Sequence, residues 1–136
     1  MAIDGGLRKI FKDSIPGQWT PVETGGTMLG VPDTEYCLAG GAQGWIEFKK
    51  CSTDAVKVRP AQVGWIERRV RMGGGIFVAV RRTRRGGDEL VLLPGRAVRL
   101  LKTSGLTAAS ELAVGAWDGG PGRWDWGAIE KILRKN

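Results

Sequence analysis

Gly30-Val31-Pro32-Asp33 is followed, fourteen residues after the aspartate, by Glu47-Phe48-Lys49. Two carboxylates and a lysine at one edge of a small sheet are the minimum equipment for holding a divalent metal and cleaving a phosphodiester. The segment between them reads as a β-hairpin. Val31 to Leu38 has strand character, and Trp45-Ile46-Glu47-Phe48-Lys49 alternates strictly. Ala39-Gly40-Gly41-Ala42-Gln43-Gly44 is a glycine-rich reversal. A turn centred near Gly40 pairs Asp33 with Glu47, with Cβ atoms about 4.5–5.5 Å apart. Alternation then sends Glu47 and Lys49 to one face, and Ile46 and Phe48 to the other beside Tyr36 and Leu38.

Carboxylates this close repel, so one retains its proton unless a cation sits between them. Mg²⁺ suits the position, because it is a hard ion that prefers carboxylate, water and phosphate oxygens. Lys49 is placed to contact a scissile phosphate or to help orient and deprotonate the attacking water. The plain alternative is a solvated charged face with an ordinary cross-strand ion pair. An isolated E-x-K favours that alternative. The preceding G-x-P-D at hairpin distance favours a site.

Taken together, these residues resemble the PD-(D/E)XK nuclease superfamily, and within it the VRR-NUC type and small phage Holliday-junction-resolvase-like nucleases. Thr20-Pro21-Val22-Glu23 lies ten residues before Asp33, where such nucleases often carry a further acid. Pro21 stands where the family pattern has a basic residue. Gln62, in Arg59-Pro60-Ala61-Gln62, opens the next helix, where a glutamine often completes the site. The resemblance covers about residues 18–82. It implies an α/β (α+β) fold, with a small mixed central β-sheet flanked by helices in a restriction-endonuclease-like core. It further implies that Asp33, Glu47 and the Phe48 carbonyl hold Mg²⁺ (or Mn²⁺ as a substitute). Glu23 then ligates through water or holds a second ion, Lys49 orients water, and Gln62 tunes Lys49 or the water network. Branched DNA is the implied substrate, and a homodimer follows for an enzyme that cuts opposed strands.

With 136 residues, the chain reads as one domain, its core at about residues 18–102 and a C-terminal loop and helix at 113–136. Lys and Arg number 21 against 14 acidic residues, a net charge of +7, which suggests a polyanionic partner. Clustering strengthens this: Arg68, Arg69, Arg71, Arg81, Arg82, Arg84 and Arg85 fall within eighteen residues. Lys50, Lys57, Arg59, Arg69, Arg82, Arg84 and Arg85 are the candidate nucleic-acid contacts. The absence of histidine removes His-based triads and His-Cys dyads, and two cysteines cannot build a typical structural zinc centre. Cys37 and Cys51 read as reduced thiols. No P-loop signature is present, so no nucleotide cofactor is expected. No apolar run of membrane-spanning length and no signal-peptide h-region occur, which reads as a cytoplasmic protein of a bacterium or a phage-infected cell.

Residues 6–13 read as a short amphipathic helix, with Leu7, Ile10 and Phe11 inward and Arg8, Lys9 and Lys12 toward solvent or DNA. Pro60 starts a helix that runs to about Met72 on a Val63, Ile66, Val70 stripe. Ile76 to Val80 is a buried strand, 82–87 a basic turn, 89–93 a returning strand, and 96–102 a short helix. Regularity falls from Thr103 to Gly122. Asp125 caps a last helix carrying Trp126, Ile129, Ile132 and Leu133. It docks on its own domain by default, and the tryptophans at 117, 124 and 126 leave a dimer contact open. The leading expectation is a metal-dependent DNA endonuclease. A nuclease for duplex or flapped DNA, a non-catalytic DNA-binding module and a tryptophan-based protein-interaction domain are the rivals.

Overall fold

The computed structural model describes residues 4–22 and 29–135. Helix α1 (Leu7–Ser14) leads into strands β1 (Gly17–Pro21), β2 (Thr34–Leu38) and β3 (Gln43–Cys51). Helix α2 (Pro60–Arg71) joins β3 to β4 (Ile76–Arg84), and β5 (Gly87–Pro94) returns beside β4. After a 3-10 turn at Gly95–Ala97 come α3 (Val98–Ala109), the short β6 (Gly115–Trp117) and α4 (Trp126–Arg134). The six strands form one sheet in sequence order. All neighbours are antiparallel except β3 and β4. A parallel pair cannot be joined by a tight turn and needs a crossover, which α2 and its flanking loops supply. The fold is thus the expected α/β arrangement, a mixed sheet flanked by helices.

Each face of the sheet carries its own core. Leu7 and Phe11 of α1 and Ile129 and Leu133 of α4 pack with Tyr36, Ile46 and Phe48. Val63 and Ile66 of α2 and Val98 and Leu101 of α3 pack with Val78 and Val80. β4 lies between the two layers, so Ile76 to Val80 is buried on both sides. That explains why it reads as a continuous apolar run where a half-exposed strand would alternate. No helix among the described residues is long and apolar enough to cross a membrane.

The last helix docks on its own domain. The Asp125 carboxylate accepts from Ala128 N at 3.0 Å, as an N-cap should. Tyr36 Oη donates to the Leu133 carbonyl at 2.9 Å. Trp124 is buried, and its indole N–H donates to the Asp88 carbonyl. Trp126 donates to the Pro121 carbonyl and packs edge-on to Phe11. Trp117 and Trp126 pack against the same core, so all three tryptophans serve the fold.

Some segments depart from the sequence expectation, among them β6, which forms within a stretch expected to be a loop. The basic turn is shorter: β4 runs through Arg84 and β5 begins at Gly87, leaving Arg85 and Gly86 to reverse the chain. Helical structure also continues past Lys102 to Ala109, broken at Gly105 (φ 90°). Asp54 restarts it, since its carbonyl accepts from Leu106 N at 2.9 Å and its carboxylate from Thr107 N at 2.6 Å. A cap supplied from 53 residues earlier leaves no local signature. A Cβ at Gly105 would lie 2.2 Å from the Asp54 carboxylate, in a backbone conformation that side chains disfavour. Gly105→Ala is therefore expected to destabilise the chain by more than about 1 kcal/mol, read as a lower urea midpoint at unchanged slope.

Candidate active site

The site arises because β3 outruns β2. Thr34 faces Ile46 and Glu35 faces Trp45, so the same register, continued by one residue, sets Asp33 opposite Glu47. Beyond that point, among the described residues, β3 is paired only with β4, from Glu47 to Cys51. Its other edge opens at Glu47. Asp33 fills the first gap: Phe48 N donates to Asp33 Oδ2 at 3.1 Å, and Asp33 N donates to Glu47 Oε1 at 2.9 Å. Thr34 Oγ1 donates to Asp33 Oδ1 at 2.8 Å, and Val22 N to the Asp33 carbonyl at 2.8 Å. In a strand, the N–H and C=O of one residue point to the same side. The Phe48 carbonyl therefore faces the open edge with its N–H.

Helix α2 contributes the third wall. Pro60 sits in its first turn, where a missing N–H costs nothing, and this places Gln62 at the third helical position. Gln62 Oε1 accepts from Arg59 N at 2.9 Å and from Lys49 Nζ at 3.1 Å. Its Nε2 donates to Glu47 Oε2 at 3.1 Å. The amide orientation follows from these partners, two donors facing the oxygen and a carboxylate facing the nitrogen. Lys49 Nζ also lies 3.4 Å from Glu47 Oε2. Gly30 (φ 85°) presses the loop bearing Asp33 onto the start of α2, where a Cβ would meet the Ala61 carbonyl oxygen at 2.0 Å.

Burial sets the electrostatics. Glu47 is 6% exposed. Desolvation, and then the charge of Asp33, push its pKa up to about 7 against the opposing pull of Lys49. Asp33 is raised as well, chiefly by burial, while the bonds from Thr34 and Phe48 and the charge of Arg8 hold it back. Two adjacent carboxylates thus share a partly dehydrated place, with one ammonium 3.4 Å from Glu47. With the Phe48 carbonyl they form an all-oxygen donor set, which fits a hard divalent cation that keeps several waters. Among the described residues, no three Asp, Glu, Cys or His side chains gather as a metal centre. The expected further acid, Glu23, lies outside the described residues.

These groups line a cleft of about 820 Å³, together with Lys50, Lys57 and Arg59. Asp33, Glu47, Phe48, Lys49 and Gln62 thus come together as the sequence suggests. The remaining basic candidates do not. Arg69 stacks over Trp65 (4.5 Å) and Trp45 (5.6 Å) near the C-terminal end of α2. Arg82 is buried and held by Glu89 at 2.7 Å and the Thr53 carbonyl at 3.2 Å, so its charge is used inside the fold. Arg84 and Arg85 are exposed at the β4–β5 reversal, outside the cleft lining. Asp4 and Arg8 line the cleft without being sequence candidates for the site. Asp4 takes Gly6 N at 2.8 Å and Arg8 N at 3.3 Å at the head of α1. An acid capping an amphipathic helix is the one local signal, and it does not say where that helix docks. No family model, curated protein or solved structure matches the chain.

A raised carboxylate pKa means the folded chain holds a proton that the unfolded chain has released. Stability should therefore fall as pH rises from about 4.5 to about 7 without divalent cations, by up to about 3 kcal/mol, and level off above. Denaturant titrations across that window check this, and Glu47→Gln should flatten the slope. Gly30→Ala should shift the Asp33 loop and loosen the Phe48 amide. Its hydrogen exchange should rise about tenfold or more while the amides of α3 keep their protection.

Proposed function

We propose that this chain is a Mg²⁺-dependent endonuclease of PD-(D/E)XK type that hydrolyses DNA phosphodiester bonds, with branched DNA such as Holliday junctions as its substrate. The observation that carries this reading is the closed set of bonds joining Asp33, Glu47, Lys49 and Gln62 on the floor of a cleft lined by Lys50, Lys57 and Arg59. Asp33, Glu47 and the Phe48 carbonyl would hold the cation, with Mn²⁺ as a substitute. When bound, such an ion supplies Lewis-acid stabilisation of phosphate charge and makes water a better nucleophile at neutral pH.

The chain's own residues do the rest. The Lys49 ammonium lies 3.1 Å from Gln62 Oε1 and 3.4 Å from Glu47 Oε2. From there it orients the attacking water and stabilises charge that develops on the phosphoryl oxygens. Gln62 is a neutral bridge, so it fixes both Lys49 and Glu47 without altering the charge of the site. Lys50, Lys57 and Arg59 contact backbone phosphates, which gives salt-sensitive binding with little sequence information. Cutting opposed strands of a junction takes two such sites, and a homodimer follows from that substrate.

Labelled four-way junctions, flaps and plain duplex, incubated with and without Mg²⁺, test this. Paired symmetrical incisions confined to junctions are expected, and chelation should stop them. Asp33→Asn and Glu47→Gln should abolish cleavage while keeping or improving DNA binding. Lys49→Ala should cost about 10²–10³ in rate. Incision of duplex or flaps as fast as junctions would support the broader nuclease instead. Binding with no Mg²⁺-dependent incision would leave a non-catalytic module.

A further inference from the structure

Arg81 lies on β4 opposite Lys50 of β3 and shares the sheet face of Phe77 and Ala79, toward α1. Its guanidinium is held from several sides. Nε donates to Asp88 Oδ1 at 2.9 Å and Nη2 to Asp88 Oδ2 at 2.7 Å, a planar fork. The group also lies 5.6 Å from the Trp124 ring centroid. Asp88 is itself fixed: its N donates to the Asp118 carboxylate at 3.1 Å, and its carbonyl accepts from Trp124 Nε1 at 3.2 Å and Gly120 N at 2.9 Å. What the ion pair leaves over is Nη1, and this donates to the carbonyl of Gly5 at 2.8 Å.

Gly5 belongs to the turn that enters α1, and it packs directly on the sheet. A Cβ built there lies 3.4 Å from Lys50 Cβ and 3.5 Å from Arg81 Cδ. The turn carries Asp4 on one side and leads into Arg8 on the other, bound to each other through the Asp4 carboxylate and Arg8 N. Both residues line the cleft beside Asp33 and Glu47.

We propose that Arg81 is a positioning residue for the nuclease site: through the Gly5 carbonyl it sets the entry turn of α1 so that Arg8 stands beside Asp33 and contacts a phosphate of bound DNA. This rests on the nuclease reading above. Arg81 does not touch substrate. Its role requires three N–H directions in one plane, two for Asp88 and one for Gly5, which lysine cannot supply.

A double-mutant cycle on the full chain tests this, using Arg8→Ala, Arg81→Ala, the combination of both, and Arg81→Lys. The lysine variant keeps a cation beside Asp88, so it guards against loss of folding. Kd without divalent cations, and kcat and KM with Mg²⁺, are read on the same labelled junction. Arg8→Ala should weaken binding about fivefold to tenfold, and Arg81→Ala and Arg81→Lys should match it. The double variant should be no worse than Arg8→Ala, because both changes remove one contact. Losses that multiply, or wild-type binding by Arg81→Lys, overturn the proposal. A wild-type chain that binds DNA but never cuts it removes the nuclease reading alone, and the cycle on Kd still decides the link from Arg81 to Arg8. A wild-type chain that does not bind DNA overturns both.

Discussion

Burial of the Glu47 carboxylate is the constraint on which the rest of the structure depends. An ionised carboxylate in a largely dehydrated place costs several kcal/mol unless it is paired and hydrogen-bonded. Its partners here are Asp33 N, Gln62 Nε2 and Lys49 Nζ. They come from three separate segments: the loop before β2, the first turn of α2, and β3 itself. Satisfying one carboxylate therefore ties together the parts of the chain that form the cleft. Asp33 adds a second carboxyl group to the same small volume and helps to raise the pKa of Glu47.

The two cores explain how such a group can be held firmly. β3 and β4 run side by side through the middle of the sheet, covered by α1 and α4 on one face and α2 and α3 on the other. Glu47 and Lys49 project from the rigid part of β3, and Gln62 from the packed first turn of a helix whose Val63 and Ile66 are buried. Sites built on such elements keep their geometry better than sites on loops. The one loop-borne member, Asp33, is fixed by main-chain bonds to Val22 and Glu47 and by the contact of Gly30 with Ala61.

Much of this site is legible in the sequence because hairpin register is arithmetic. A reversal centred near Gly40 leaves Asp33 and Glu47 as partners, and alternation separates Glu47 from Phe48. Pro60 marks the start of α2 and so the place of Gln62, and Asp125 marks the start of α4. The β2 strand begins only at Thr34, where Val31 suggests an earlier start, because Pro32 has no N–H to give a ladder. Other features depend on distant contacts. Counting arginines cannot separate Arg82, which faces Glu89 in the interior, from Arg59 at the cleft. The restart of α3 depends on Asp54, and the approach of Arg8 to the site depends on where α1 packs. The tryptophans pose a similar ambiguity, because core and interface both select large aromatic side chains; here Trp124 is interior.

The account stands or falls on whether the open edge of β3 takes a cation. Crystals soaked in Mn²⁺ and measured for anomalous scattering test this most directly. The predicted result is a peak at about 2 Å from carboxylate oxygens of both Asp33 and Glu47 and from the Phe48 carbonyl, with Lys49 still on Gln62. A map without that peak, in which Glu47 keeps Asp33 N, Gln62 and Lys49 as its partners while manganese binds elsewhere or nowhere, would contradict it.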